Sequence, residues 1–184
     1  MEEYQVKDIM VPIEEYATVS KDATLYDAVI ALEKAQLDFD RNHYAHRAIL
    51  ILDNKRKLVG KLSQLDVLRA LEPKYREMQS PAGMARYGFT KKFFQSMMEQ
   101  YQLWDTSLPN ICKKALGIKV SEIMTSPSDG EIIDEDTPIG QAIHLLVMGQ
   151  HQSLLVLKKK EITGVLRLVD VFAVIFHTIK ECKL

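Results

Sequence analysis

Cysteine is scarce in this chain, which has only Cys112 and Cys182. Two unpatterned thiols exclude a disulfide framework and a cysteine-based zinc site, and they fit a reducing, cytoplasmic setting. A charge of one sign is also missing: 24 basic and 25 acidic side chains, well mixed along the sequence, leave a formal net charge of −1. Such a balance provides no electrostatic footprint for nucleic acid or for an anionic membrane. No apolar run reaches the roughly 18 residues needed to span a bilayer, and no secretory apolar segment opens the chain. A P-loop and a nucleophile elbow are both absent. The histidines His43, His46, His144, His151 and His177 have no acid or cysteine beside them at a metal-ligand spacing. His43 and His46 read as part of a polar loop, and Gly149 is expected to end a helix before His144 and His151 can share a face. Glu14-Glu15 and Asp134-Glu135-Asp136 read as solvated turn and helix-start charges. These exclusions point to a soluble, globular, non-catalytic chain. Its 184 residues, 47% of them hydrophobic, are ample for one compact domain or two intimately packed halves.

The chain repeats itself. Val6-Lys7-Asp8-Ile9-Met10 returns as Val120-Ser121-Glu122-Ile123-Met124, and Leu58-Val59-Gly60-Lys61-Leu62-Ser63-Gln64-Leu65-Asp66-Val67 returns as Ile162-Thr163-Gly164-Val165-Leu166-Arg167-Leu168-Val169-Asp170-Val171. The offset between copies is 114 through Leu25/Ile139 and Leu32/Leu146, and 104 by Gly60/Gly164. About ten extra residues are therefore expected between the helix ending near Gln36 and the strand beginning near Ala48. That segment, residues 37–47, is polar and aromatic, as suits an enlarged surface loop. Duplication of this kind means two supersecondary units packed face to face, with symmetric clefts where they meet.

Each half is predicted to run short helix, strand, helix, strand, strand, helix. Val6 to Met10 forms a helical turn stopped by Pro12, and a short strand follows at 17–19. Asp22-Ala23-Thr24 opens a helix whose Leu25, Ala28, Val29 and Leu32 recur at helical spacing. Ala48 to Leu52 is a strand apolar on both faces, Leu58 to Leu62 its partner, and Ser63 to Leu71 the closing helix. The second half repeats this plan over 139–148, 154–157, 162–166 and a longer closing helix through Ile179. Repeat 1 thus occupies residues 1–72 and repeat 2 residues 119–184. The helical insertion at 73–118 matches neither. Within the insertion, Ser80-Pro81-Ala82-Gly83 marks a break. Thr90 to Leu103 is amphipathic, with Phe93, Phe94, Met97, Met98, Tyr101 and Leu103 on one face, and a second helix is predicted near 108–116. The apolar face is expected to close on the protein itself, within the chain or across a dimer; a foreign partner is the other reading.

Chemistry can be argued at Ser63 and Asp66. A strand ends there, a hydroxyl starts the next helix, and an acid follows three residues later, with Lys61 just upstream. Unpaired N–H groups at a helix start favour phosphate, and a carboxylate suits two vicinal hydroxyls of a ribose. A capping box satisfies the same pattern. The second copy puts Arg167 where Ser63 stands yet keeps the acid as Asp170. Arginine cannot cap as serine does, so the pattern leans toward ligand chemistry.

Taken in order, the doubled Val-x-x-Ile-Met turns, the doubled glycine before the last helix and the doubled aspartate make the chain outside its insertion resemble a tandem pair of cystathionine-β-synthase (CBS) domains. The resemblance implies an α/β (α+β) fold of two units packed about a pseudo-two-fold axis. It further implies clefts that bind AMP, ADP, ATP or S-adenosylmethionine as regulatory ligands, in a sensor that is no enzyme. It places Ser63 and Arg167 toward phosphate, and Asp66 and Asp170 toward ribose. The cleft of Asp170 would be lined by Thr18, Val19, Arg47 and Ala48, and that of Asp66 by Ile132, Ile133, His151, Gln152 and Ser153. A homodimer is expected, with the helix at 90–103 as a candidate part of its interface and a protein partner receiving the signal; no nucleic acid or membrane partner is expected. Arg167 departs from the family's hydroxyl: its charged fork can grip a di- or triphosphate, the favoured role, or swing onto an acid and block the cleft. In that second case the module would be structural, an interaction protein with clefts closed by its own side chains.

Overall fold

The computed structural model describes residues 4–38, 45–77, 90–104, 107–159 and 161–181. The first half forms β1 (Val11–Pro12), β2 (Thr18–Ser20), α1 (Leu25–Asp38), β3 (Ala48–Leu52), β4 (Leu58–Ser63) and α2 (Gln64–Leu71). Then come α3 (Lys74–Glu77), α4 (Lys91–Tyr101) and α5 (Leu108–Gly117). The second half forms α6 (Val120–Ile123), β5 (Ile132–Asp134), α7 (Ile139–Gly149), β6 (Ser153–Lys158), β7 (Glu161–Arg167) and α8 (Leu168–Glu181). The helix starts follow capping chemistry. At α1 the Thr24 backbone N–H and hydroxyl both donate to Asp27 Oδ2, at 2.9 and 2.7 Å, and Asp27 N–H returns to Thr24 Oγ1 at 3.2 Å. Gln150, left-handed at φ 53°, ends α7 after Gly149, so His144 and His151 share no helix.

Two sheets result, ordered β2-β3-β4 and β1-β7-β6-β5. In each, a short parallel strand is joined to the next by a crossover helix, and a hairpin follows. Strand alternation divides the burial. Ile49 and Ile51 face the first repeat's core with Leu25, Ala28 and Leu62. Leu154 and Val156 do the same for the second, with Ile139, Ala142 and Leu166. The opposite faces meet in a shared cluster of Val11, Tyr16, Leu50, Leu155 and Val165 that joins the repeats. Truncating one of these buried leucines to alanine costs about 2–5 kcal/mol in such surroundings.

The opening turns are exchanged, which their position in the chain does not suggest. Val6 belongs to the second repeat's core and Val120 to the first repeat's. Pro12 does not simply stop the first turn: it lies in β1, which pairs with β7 through Val11–Val165 and Pro12–Gly164. Thr125 bridges Lys61 at the equivalent place. The duplicated glycines are the seats for this exchange. A Cβ on Gly60 would stand 2.5 Å from Met124 Sδ, and one on Gly164 would stand 2.5 Å from the Val11 carbonyl oxygen and 2.9 Å from Met10 Sδ. The repeated Met and the repeated Gly are thus two sides of one contact, made twice across the pseudo-two-fold.

Strand pairing also corrects the register between the copies. Thr18–Leu50 corresponds to Ile132–Leu155, so the offset at β3 and β6 is 105, and it reaches 104 only at β4 and β7. Nine of the extra residues therefore precede β3 and one lies in the β3–β4 hairpin. The partner of Ala48 is Ser153, that of Arg47 is Gln152, and that of His46 is His151. Two equivalent backbone bonds fit this register: Gln64 N–H to the Arg47 carbonyl and Leu168 N–H to the Gln152 carbonyl.

In the insertion, Thr90 caps α4. Leu103 is buried, Phe93, Met97 and Tyr101 are half-buried, and Met98 is exposed; the side chain of Phe94, residues 80–83 and Cys182 lie outside those described. The α4 end is tied to the first repeat by Trp104 N–H to Glu72 Oε2 at 2.8 Å and to α3 by Lys74 Nζ to the Gln102 carbonyl at 2.9 Å.

Candidate functional site

Asp66 lies at the start of α2, where the capping box weighed from the sequence is present. Asp66 Oδ2 accepts from Ser63 Oγ at 2.6 Å and from Ser63 N–H at 2.9 Å, and Asp66 N–H donates to Ser63 Oγ at 3.2 Å. One oxygen is occupied. The other, Oδ1, stands 3.9 Å from Arg69 Nη1. Asp66, Arg69, Tyr75 and Ile123 line a cavity of about 220 Å³. Nearby, Lys61 from the first repeat pairs with Glu131 from the second, and His151 Nδ1 is 3.7 Å from the same carboxylate. Burial pushes the Glu131 carboxyl upward, but the bond from Lys61 and that from the Ser128 backbone outweigh it, so it sits below the usual range.

The equivalent cleft at Asp170 is filled. Arg167 Nε donates to Asp170 Oδ2 at 2.5 Å and Nη2 to Oδ1 at 2.6 Å, a two-pronged ion pair with both oxygens engaged. The side chains of Arg167 and Asp170 are only 5% and 13% exposed. Arg167 Nη1 lies 3.4 Å from His46 Nδ1, and the His46 ring packs on Tyr16 with centroids 4.5 Å apart. Burial and the adjacent guanidinium hold His46 below its ordinary pKa, against a bond to the Glu15 backbone and the Asp170 charge. Burial pushes the Tyr16 hydroxyl up to about 12.

Two pairs of equivalent positions explain the contrast, and a third is the same in both clefts. His46 and His151 enter the two clefts from the same point ahead of the inner strand. At an offset of 114, Tyr16 corresponds to Gly130, and the place for a Gly130 Cβ is 3.7 Å from His151 Nε2. Arg167 corresponds to Ser63. A ring and a guanidinium therefore occupy one cleft where hydrogen and a hydroxymethyl stand in the other.

The remaining expected residues divide by strand alternation. Val19 packs in the first repeat's core and Ile133 in the second's, so neither side chain is turned to a cleft. Ala48 and Ile132 border the shared cluster, Thr18 and Ser153 are half-buried, and Gln152 is exposed. Arg47 is exposed; the side chain beside it that enters the Asp170 cleft is His46. His46 was expected in a polar surface loop and is instead fully buried. Its companion His43 lies outside the described residues. Sequence reasoning also missed Tyr16, Glu131, Arg69, Tyr75 and Ile123. Tyr16 opposite Gly130 was available in the alignment of the copies, whereas nothing in the sequence brings Tyr75 to Asp66. Among the described residues no group of three or more His, Cys, Asp or Glu side chains gathers to hold a metal ion, and no helix is long and apolar enough to cross a membrane.

Solved structures share this architecture over almost the full chain. CBSX2 in complex with AMP is 18% identical, with a TM-score of 0.59, covering 98% of this chain and 99% of that one. CBSX2 from Arabidopsis thaliana is 18% identical, with a TM-score of 0.59 and coverage of 97% and 99%. A CBS domain-containing protein of unknown function from Bacillus anthracis is 16% identical, with a TM-score of 0.60 and coverage of 96% and 95%. At these identities the likeness establishes the fold. A search of curated proteins finds no significant match. The family profile of the CBS domain matches the chain twice, at residues 6–73 and 120–177. With both of its repeats matched and the insertion between them left over, the chain belongs to the CBS-domain family as a tandem pair.

Proposed function

We propose that the protein is a non-catalytic regulatory module that senses an adenosine-containing ligand, AMP, ADP, ATP or S-adenosylmethionine, in the cleft of Asp66. The observation that carries this reading is the contrast between two equivalent acids. Asp66 keeps one oxygen beside a cavity of about 220 Å³, while both oxygens of Asp170 are taken by Arg167. An AMP-bound relative of the same architecture supports the ligand class. In the working cleft Asp66 would accept from the ribose hydroxyls. The N–H groups opening α2, Ser63 and Lys61 would face phosphate, with His151 and Ser153 at the rim. Arg167 offers Asp170 a full opposite charge and two parallel bonds in a fixed fork, which neutral ribose hydroxyls do not match, so a ribose does not displace Arg167 from Asp170. The second reading, a module closed by its own side chains, holds for that cleft alone.

Occupancy of the Asp66 cleft would tighten the junction between repeats, and the change would pass to a partner or across a homodimer. Exposed apolar side chains support such an assembly: Tyr26, Val29 and Ile30 on α1, Val147 and Met148 on α7, and Phe172, Phe176 and Ile179 on α8. The domain limits proposed are 1–72, 73–118 and 119–184, in a cytoplasmic protein. Calorimetry and thermal shift with the four ligands test the reading. One ligand per chain is expected, with the rise in melting temperature that mass action gives, abolished in Asp66→Ala. The double change Tyr16→Gly/Arg167→Ser is expected to raise the stoichiometry to two. No heat and no shift with any of the four would refute the sensor reading.

A further inference from the structure

The insertion contributes a wall to the Asp66 cavity, and the wall is wired to the chain's single tryptophan. Tyr75 lies on α3, beyond the region matched by the family profile, which ends at residue 73. It nevertheless shares the cavity with Asp66, Arg69 and Ile123. Its hydroxyl accepts a hydrogen bond from Trp104 Nε1 at 2.9 Å, and the two rings lie 6.5 Å apart, tilted at 60°. Trp104 is in turn held by the Glu72 carboxylate, itself 3% exposed, and Lys74 grips the neighbouring Gln102 carbonyl. From the other side, Lys114 Nζ on α5 reaches the Leu71 carbonyl at 3.2 Å. The insertion helices α3, α4 and α5 are therefore all tied to the end of α2.

From this juxtaposition we propose that Tyr75 is the insertion's contact with the bound nucleotide, and that its bond to Trp104 passes occupancy of the Asp66 cleft to the insertion helices. The inference rests on the nucleotide reading above and adds to it a base-stacking residue and an output element. An aromatic ring at a cavity wall offers a stacking surface to a base, a contact tolerant of base identity. A ligand seated between Asp66 and Tyr75 has to set the ring's position. The ring cannot move without altering the Trp104 bond, because the indole is anchored by its own backbone to a buried carboxylate. Glu72 is the fixed point, and Tyr75 is the movable one.

Trp104 is the only tryptophan in the sequence, so its fluorescence reports this junction without labelling. AMP is titrated into the full chain while calorimetry and Trp104 emission are followed together. For the unaltered protein the two signals should saturate at the same concentration. Tyr75→Phe keeps the ring and loses the hydroxyl: affinity should stay within about twofold, and the emission change should fall by more than half. Tyr75→Ala removes the stacking surface and should weaken binding about tenfold, the size of one stacking contact. A full emission change in Tyr75→Phe, or unaltered affinity in Tyr75→Ala, would overturn the proposal. AMP binding that leaves Trp104 emission flat would sink it while leaving the nucleotide reading intact. The absence of binding by any adenine nucleotide would remove both.

Discussion

Replacing Asp170 by alanine should cost the fold far more than the same change at Asp66, although the two acids occupy equivalent positions. Asp170 is the counter-ion of a guanidinium that is itself buried, and its loss removes two charge-assisted bonds of 2.5 and 2.6 Å. Deleting one partner of a buried ion pair costs about 3–5 kcal/mol. Asp66 serves the fold as half of a capping box, and a lost cap costs about 0.5–2 kcal/mol. Urea unfolding of both single variants measures the difference, expected to be about 2–3 kcal/mol. The paired change Arg167→Leu/Asp170→Ala removes both charges and should recover much of the loss, because a hydrophobic replacement of a buried pair is often neutral. Equal destabilisation by the two alanine variants would refute the assignment of one acid to structure and the other to a ligand.

The two glycine seats should differ in tolerance. Gly164→Ala drives a Cβ to 2.5 Å from a backbone carbonyl and should cost at least about 2–3 kcal/mol, whereas Gly60→Ala meets the flexible end of Met124 and should cost less; thermal melts of the two variants decide it. Tyr16 is held neutral, its pKa raised to about 12. Its contribution is therefore complete below the unfolded value near 10 and lost as pH rises from there through about 12, about 2–3 kcal/mol for two units. Tyr16→Phe should flatten that alkaline limb of stability measured against pH. His46, lowered from 6.5, is also held neutral in the fold. Its contribution is present above 6.5 and declines as pH falls toward the folded value, and the ring's proton resonances should titrate below the ordinary histidine value.

Much of the fold could be read from residue pattern because local physics repeats along the chain. Ser63 and Asp66 announce a helix start wherever they occur, the apolar run 48–52 demands burial on both faces, and Thr90 caps the helix predicted from 90. Two details escaped. Adjacency in sequence assigns each opening turn to its own half and gives no sign that the turn will cross over. The register of the copies slipped by one at β3, because a single offset cannot reveal that one residue of the difference sits in the next hairpin. That slip concealed the equivalence of His46 and His151. Arg167 illustrates the remaining limit. The choice between gripping phosphate and turning onto Asp170 depends on the space left beside it, which Tyr16 and His46 fill.

By itself, the sequence determined the duplicated units, their helices and strands, the family, and the two acids on which a ligand reading rests. All of these are set by neighbours in the chain or by motifs with fixed spacing. Only the tertiary structure decided that the Met turns are exchanged onto opposing glycines, that the cleft of Asp170 is closed while that of Asp66 borders a cavity, and that Tyr75 stands at its wall. Those outcomes depend on which side chains, remote in sequence, compete for the same volume, and close packing leaves room for only one of them.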